Sequence, residues 1–255
     1  MPTTNFKIGI FCPTRKRVKM LARLMDSVVS LAAKPERISF HLYIDNDDEA
    51  TINFIKKVGP QSSIPIHLFI DKHDVRPLSD TYNVLFNNSD VDVMMQFGDD
   101  TIMRTKGWDL LIDEAFEKYD DRLALVYGCD GVHDEGFATH YGLHRNWIEL
   151  LGYASPPYFT ADWSDAWMFE LAKAVNRNIF VKDLVIEHMH WTQGKSAVDE
   201  TTMLAELRRR NDNNEMLFRS DEMVAEPQAS IEKIKKAIGD KQGLLFYLYI
   251  QILRR

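Results

Sequence analysis

The sequence contains only two cysteines in 255 residues, Cys12 and Cys129. Two cysteines cannot form a disulfide framework, and neither of them has the spacing of a metal-binding pair. Both lie beside predicted strand ends, where we expect buried thiols. The sequence also lacks internal repeats and low-complexity segments. A single large domain or two small ones, each with a sizeable core, are compatible with this length.

A long hydrophobic run is absent as well. The longest apolar stretch, residues 243–253, falls well short of the roughly 20 residues that a membrane-spanning helix needs. Residues 1–7 lack the apolar core of a signal peptide. We therefore expect no membrane span, and a cytoplasmic location is the simplest expectation.

An excess of positive charge is also lacking, because the net charge is -7. The totals thus give no sign of a basic nucleic-acid-binding surface. Local basic clusters occur at residues 15–17, 208–210 and 254–255. Such clusters are usually solvated, but Arg15 and Arg17 directly follow an apolar run, so we consider them candidates for binding a phosphate group.

The pattern of apolar residues predicts strands that alternate with helices in the first hundred residues. We predict strands at residues 7–12, 40–44, 64–70 and 91–97, and helices at residues 18–31, 51–58 and 79–87. This alternation predicts an α/β fold with a largely parallel sheet. Ligands of such sheets bind at the edge where the parallel strands end.

The second half is less regular. We predict strands at residues 123–127, 139–143 and 179–186, and helices at residues 108–119, 164–176, 199–210 and 230–237. Residues 211–227 are polar enough for a mobile connection, and the tail from Leu244 is an apolar helix or strand.

The most informative local feature is the step from an apolar strand into Gly98, Asp99 and Asp100. Carboxylates at the end of a strand are well suited to hold a divalent cation that neutralises a diphosphate. The alternative interpretation is an ordinary acidic turn. His188 and His190 are spaced by two, so a strand would point both toward one face, where they could bind metal or phosphate. Asp165 lies between Trp163 and Trp167, whose apolar walls would raise its pKa and strengthen it as a base.

Five segments together resemble the GT-A-fold, nucleotide-sugar-dependent glycosyltransferases, in particular the large inverting family that includes many polysaccharide-building enzymes. Residues 8–17 are similar to the family's opening strand and "PTRNR"-like turn, and residues 43–47 to its second strand. Residues 97–100 are similar to its "DxD" element, residues 163–167 to its "ED" pair, and residues 186–190 to the segment with its late histidine. The resemblance implies a Rossmann-like, mostly parallel sheet flanked by helices. It covers roughly residues 7–191.

The resemblance also implies roles for individual residues. The residues that would contact the donor nucleotide are Pro13, Thr14, Arg15, Arg17, Asp45 and Asp99. The metal ion, Mn²⁺ or Mg²⁺, would be held by Asp100, His188 and His190. The catalytic base would be Asp165 or Asp162, and the acceptor would contact Trp163 and Trp167. Two departures matter. Gly98 replaces the first carboxylate of "DxD", and Ser164 replaces the Glu of "ED", which leaves the base open between the two aspartates.

The expected activity is metal-dependent transfer of a hexosyl or pentosyl group from a nucleoside-diphosphate sugar, with UDP as the expected nucleotide, to an acceptor hydroxyl. We expect a transferase domain at residues 1–195, with a nucleotide-binding half at 1–100 and an acceptor half at 101–195, and a helical extension at 196–255. A nucleotidyltransferase is one alternative, although residues 12–17 lack the glycines of its basic loop. A degenerate sugar- or nucleotide-binding module is another. The acceptor remains open among glycans, proteins, lipid-linked glycans, small molecules and hydroxymethylated DNA, and the oligomeric state remains unknown.

Overall fold

The computed structural model describes residues 4–72, 76–160, 162–220 and 222–239, and the predicted apolar tail from Leu244 lies outside these ranges. The strands are β1 Ile8–Thr14, β2 Ile38–Asp45, β3 Ile66–Asp71, β4 Val93–Gln96, β5 Thr101–Met103, β6 Leu125–Cys129, β7 Tyr141–His144 and β8 Asn178–His188. The helices are α1 Val18–Leu31, α2 Glu49–Val58, α3 Leu78–Asn87, α4 Trp108–Glu117, α5 Arg145–Leu151, α6 Ser164–Ala174, α7 Glu200–Asn211, α8 Asn214–Arg219 and α9 Glu222–Ile238.

The strands form one mixed sheet with the order β3-β2-β1-β4-β7-β6-β8-β5. Strands β1 to β4 are parallel to one another wherever they pair, as the alternation predicts. Strand β7 runs antiparallel to both β4 and β6, and β5 runs antiparallel to β8. The sheet is therefore parallel in its first half and mixed in its second, with the carboxyl ends of β1, β2 and β4 at one edge.

Helices cover both faces of the sheet, and each face has its own hydrophobic core. On one face α1, α2 and α4 supply buried residues such as Leu24, Ile55 and Trp108. On the other face α3, α5, α6 and α9 supply residues such as Tyr82, Trp147 and Ile234. Burying apolar area at about 25 cal/mol per Å² is the main stabilisation of such a layered arrangement. This α/β fold, with a sheet between two helical layers, confirms the predicted fold class.

Several local predictions were wrong. Residues 211–227, expected to be a polar connection, contain α8 and the start of α9, because Phe218 and Met223 bury their side chains against the core. The short elements β5 and α5 were not predicted, since three and seven residues give too little periodicity. Cys12 is buried as expected, whereas Cys129 is half-buried. Among the described residues, none of the helices has the length and apolar character required to cross a membrane.

Candidate active site

The ends of β1, β2 and β4 border an open cleft of about 610 Å³. All of the predicted site residues except the two tryptophans line it: Pro13, Thr14, Arg15, Arg17, Asp45, Asp99, Asp100, Asp162, Asp165, His188 and His190. Parallel strands bring their carboxyl ends to one edge, so the first seven of these residues meet although they are far apart in sequence. The remaining ones arrive from α6, from the end of β8 and from the loops beside them.

Asp99 is part of the floor of the cleft and is 4% exposed. One of its carboxylate oxygens accepts a hydrogen bond from Thr14 Oγ1 at 2.8 Å, and the other accepts one from Arg17 Nη1 at 3.0 Å. Burial raises the pKa of Asp99 to about 6, against the opposing effect of the Arg17 charge. Both oxygens are thus already engaged by protein groups, which ties the end of β1 to the end of β4.

Asp100 faces His188 because of the pairing between β5 and β8. Their register sets Thr101 opposite His188, and the Met189 N–H donates to the Asp100 carbonyl at 2.7 Å. His188 Nε2 then lies 3.4 Å from Asp100 Oδ2. Burial alone would raise the pKa of Asp100, but the hydrogen bond and charge of His188 outweigh it and hold that pKa well below its usual range. Asp100 is therefore an ionised carboxylate at the cleft wall.

His140 is the main residue near the site that sequence reasoning missed. Its ring lies 4.8 Å from the His188 ring, centroid to centroid, and it is 7% exposed. No hydrogen-bond partner for its Nε2 atom occurs within the described part of the chain. Leaving a buried polar atom unpaired costs about 1–3 kcal/mol. Burial, then the neighbouring His188, lower the pKa of His140 to about 3, so its imidazole is neutral.

The position of His140 near the site follows from strand pairing, which the sequence pattern around this residue does not indicate. The residue precedes β7, whose antiparallel pairing with β4 sets Tyr141 opposite Gln96 and so brings the start of β7 to the cleft edge. We predicted a largely parallel sheet, in which the start of a strand would lie at the far edge.

Asp100 and His188 are suited to bind a divalent cation. In nucleotide sites Mg²⁺ is commonly bound by one or two carboxylates together with phosphate oxygens and waters, and an imidazole donor suits Mn²⁺. Within the described ranges, no group of three or more His, Cys, Asp or Glu side chains is already gathered so as to hold a metal ion. The donor set therefore fits a cation whose coordination is completed by a bound diphosphate. His190 also lines the cleft, with its ring 4.9 Å from that of His188 and its Nδ1 2.7 Å from Thr192 Oγ1.

The turn after β1 supplies two arginines that are held by carboxylates. Arg15 contacts Asp45 Oδ2 at 3.2 Å and Asp47 Oδ2 at 2.6 Å, at the end of β2. Arg17 contacts Asp199 through Nε and Nη2, each at 2.8 Å, in the bidentate geometry that fixes a guanidinium group. Arg15 and Arg17 are therefore positioned at the cleft rather than dispersed in solvent.

Helix α7 forms one wall of the cleft, which the sequence did not reveal. Asp199 caps its N-terminus by accepting a hydrogen bond from the Thr202 N–H at 2.8 Å, and the same carboxylate binds Arg17. Thr201 Oγ1 donates to the Arg15 carbonyl at 2.9 Å, and Lys16 Nζ pairs with Glu200 at 3.0 Å. The turn after β1 and the first turn of α7 are thus joined by several polar contacts.

The two candidate bases differ in their partners. Asp162 accepts two hydrogen bonds from Arg209, one on each carboxylate oxygen, at 2.8 and 3.1 Å. Asp165, in the first turn of α6, accepts a hydrogen bond from the Ala166 N–H at 2.8 Å. Burial raises the pKa of Asp165 to about 6, and the nearby Asp162 adds to the effect. A carboxylate with this pKa is a stronger base than a solvated one.

The two tryptophans lie away from the cleft lining. Trp167 is 1% exposed, and its Nε1 donates to the Tyr153 hydroxyl at 3.1 Å within the core. Trp163 packs against Phe218 of α8, with ring centroids 4.9 Å apart. Both side chains serve the packing of α6 in this structure.

Neither a protein-family model nor a curated protein sequence matches this chain. Solved structures do. The mannosyltransferase PcManGT from Pyrobaculum calidifontis, in complex with GDP-Man and Mn²⁺, matches 100% of this chain and 86% of its own, with a TM-score of 0.59 and 11% identity. S. aureus TarS in complex with UDP-GlcNAc matches 77% of this chain, with a TM-score of 0.55 and 13% identity. GalNAc-T7 with UDP, GalNAc and Mn²⁺ matches 73%, with a TM-score of 0.58 and 10% identity.

The chain spans 63% of the TarS chain and 44% of the GalNAc-T7 chain. Because the sequence identities are only 10–13%, these similarities show a shared fold and nothing more specific. The chain has a GT-A-type fold, as the resemblance of its motifs predicts.

Proposed function

We propose that this protein is a glycosyltransferase that moves a sugar from a nucleoside-diphosphate sugar to an acceptor hydroxyl with inversion at the sugar carbon. One observation carries the proposal: Asp100, 3.4 Å from His188, and the raised-pKa carboxylate of Asp165 line the same cleft of a GT-A-type fold. Groups such as Asp100 and His188 can hold a cation that stabilises the donor diphosphate, and a carboxylate such as Asp165 can accept the proton of the acceptor hydroxyl.

The nucleotide binds where the parallel strands end. Asp45 lies at the end of β2, beside Arg15, and accepts a hydrogen bond from the base or the ribose, with UDP as the expected nucleotide. Arg15 and Arg17 provide positive charge near the phosphates. The neighbours solved with GDP-Man and with UDP-GlcNAc support a nucleotide-sugar donor without selecting one nucleotide.

Asp100 and His188 hold a divalent cation in this proposal. When bound, Mn²⁺ or Mg²⁺ neutralises the charge that develops on the departing nucleoside diphosphate. The ionised state of Asp100 suits it for a cation, and the neighbours solved with Mn²⁺ support such a group.

Asp165 removes the proton from the acceptor hydroxyl. The hydroxyl oxygen attacks the sugar carbon as the bond to the diphosphate breaks on the opposite face, which inverts the configuration. Both carboxylate oxygens of Asp162 are occupied by hydrogen bonds from Arg209, whereas burial raises the pKa of Asp165, so we assign this step to Asp165. The acceptor class stays a prediction among glycans, proteins, lipid-linked glycans, small molecules and hydroxymethylated DNA.

A thermal-shift screen of UDP-, GDP- and dTDP-sugars with and without Mn²⁺ tests the proposal. A ligand that binds only the folded state at 100 times its Kd stabilises that state by about 2.7 kcal/mol. We expect at least one nucleotide-sugar to raise the Tm by several degrees with Mn²⁺ and much less without it. Release of the nucleoside diphosphate then separates a transferase from a binding module. The proposal fails if no nucleotide-sugar changes the Tm under either condition.

A further inference from the structure

His140 is a buried histidine with one nitrogen atom unused. Its Nε2 has no hydrogen-bond partner among the described residues, and its hydrogen bond with the Gln96 backbone therefore involves the other ring nitrogen. Nearly all buried polar atoms of native proteins have a partner, so an exception calls for an explanation, such as an ion or a water bound at that atom. The side chain is 7% exposed, which leaves solvent little access to that nitrogen.

The surroundings of His140 are those of the candidate cation site. Its ring is nearly perpendicular to the His188 ring, with an interplanar angle of 77° and 4.8 Å between centroids. Its Cε1 atom lies 3.9 Å from the position that a Cβ on Gly98 would occupy, and Asp100 Oδ1 lies only 2.6 Å from that position. Asp100 and the His140 ring thus both lie over the bare Cα of Gly98.

The spacing of Asp100 and His188 suits two ligands of one ion. Their nearest atoms are 3.4 Å apart, and two atoms that each bind a metal at about 2.1 Å have this separation when the angle at the metal is somewhat above a right angle. The His140 ring packs edge-to-face against the His188 ring, and its Nε2 has no partner among the described residues.

We propose that His140 is a further ligand of the divalent cation and, with Asp100 and His188, takes the place of the carboxylate that Gly98 lacks. This inference rests on the proposed function, because the cation is the one that accompanies the donor diphosphate. The three side chains are not yet gathered around one point, so binding draws the His140 ring toward the ion. Two imidazoles and one carboxylate favour Mn²⁺ over Mg²⁺, since imidazole suits transition metals and Mg²⁺ prefers oxygen.

The test counts the nitrogen ligands of bound Mn²⁺ by pulsed EPR in the complex with UDP, together with calorimetric titration of Mn²⁺ and Mg²⁺. We expect couplings from two imidazoles in the natural protein and from one in His140→Phe, which keeps an aromatic ring but has no donor. The Mn²⁺ affinity should fall by about tenfold or more, while the Mg²⁺ affinity changes little. His41→Phe is the matched control, because His41 is also buried, at 3% exposure, but stacks between Phe11 and His67.

An unchanged two-imidazole signal in His140→Phe, or a Mn²⁺ affinity within twofold of the natural protein, overturns the inference. If His140→Phe does not fold by circular dichroism, His140→Gln is measured in its place with the same expectations. If the natural protein binds Mn²⁺ and UDP with a single imidazole ligand, His140 is not a ligand of the ion, and the proposed function is unaffected. A natural protein that binds no nucleoside diphosphate refutes the proposed function itself.

Discussion

At the scale of single residues, Asp165 and Asp162 show how a neighbouring cation separates two similar carboxylates. Arg209 binds Asp162 with two hydrogen bonds, whereas burial raises the pKa of Asp165 to about 6. Asp165→Asn keeps the size and hydrogen bonding of the side chain but removes its basicity. We expect it to bind donor normally and to lose transfer by about 10²–10⁴-fold, measured as kcat with the donor Kd as control.

Asp162→Asn is the matched variant and should have the milder effect on kcat. If Asp162→Asn is inactive while Asp165→Asn transfers sugar at the normal rate, the base is Asp162 and our assignment is reversed.

The raised pKa of Asp165 also predicts how activity depends on pH. The folded-state pKa of about 6 lies above the usual value of an aspartate, so this carboxyl group is protonated, and useless as a base, below that pH. We expect kcat to fall by about tenfold for each pH unit below 6 and to level off above 7. The measurement is kcat from pH 4.5 to 8 at saturating donor. If the residual activity of Asp165→Asn decreases below pH 6 in the same way, another titrating group causes that decrease.

Asp100 provides a prediction about metal dependence. Its ionised carboxylate faces His188, so Asp100→Ala should abolish the Mn²⁺-dependent part of donor binding and most of the activity. Titration of UDP with and without Mn²⁺ measures the first effect. The two carboxylate oxygens of Asp99 already accept hydrogen bonds from Thr14 and Arg17. Donor binding by the Asp99→Asn variant should therefore still depend on Mn²⁺. Normal turnover by Asp100→Ala would refute the metal-site assignment.

The sequence led to most of the cleft residues because strand ends with acidic turns are recognisable one at a time. Asp45 and Asp100 each follow an apolar run, and the parallel topology then brings them to one edge. His140 and Asp199 were missed because their importance depends on pairings between distant segments. Nothing local to either residue shows that an antiparallel strand or a helix places it next to residues that line the cleft.

At the scale of secondary-structure elements, α7 links the C-terminal third of the chain to the turn after β1. The sequence predicts this helix at residues 199–210, and the structure has it at Glu200–Asn211 with Asp199 as its cap. Its position over the cleft depends on Arg17, which binds Asp199 and Asp99 at once.

Arg17→Lys should loosen α7 from the cleft, because a lysine keeps the charge but lacks the bidentate geometry. We expect faster amide hydrogen exchange in residues 200–211 and a higher KM for the donor, measured by mass spectrometry and by steady-state kinetics. Lys16→Ala is the control, since the surface pair of Lys16 with Glu200 is screened by solvent and should contribute little to stability. Equal exchange in the natural protein and in Arg17→Lys would show that Arg17 does not hold the helix.

At the scale of the whole molecule, α9 completes one of the two cores. Ile234 is fully buried there, in the same cluster as Trp147 of α5 and Trp167 of α6. Ile234→Ala should destabilise the protein by about 2–5 kcal/mol through lost burial and the cavity left behind. Chemical denaturation measures this change, and Lys233→Ala, an exposed neighbour, should stay within about 0.5 kcal/mol. A change below that limit for Ile234→Ala would mean that α9 does not contribute to the core.

The alternation of strands and helices predicted the parallel half of the sheet and the fold class. It did not predict the mixed half, because the antiparallel pairing of β7 with β4 and of β5 with β8 joins positions that are 45 or more apart in the sequence. The division into residues 1–195 and 196–255 stays a prediction. Ile234 of α9 is buried in the same hydrophobic cluster as residues of α5 and α6.

The contact between Arg17 and Asp199 has a consequence for synthesis of the chain, because 182 positions separate the two residues. At about 5–20 residues per second, translation needs roughly 10–40 s to proceed from one residue to the other. During that interval the nascent protein carries the strand ends of the cleft without the wall that α7 provides. If the proposed function holds, a nucleotide therefore meets the complete wall of the cleft only after α7 has been synthesised, and its stabilising effect reaches chains that already contain this helix.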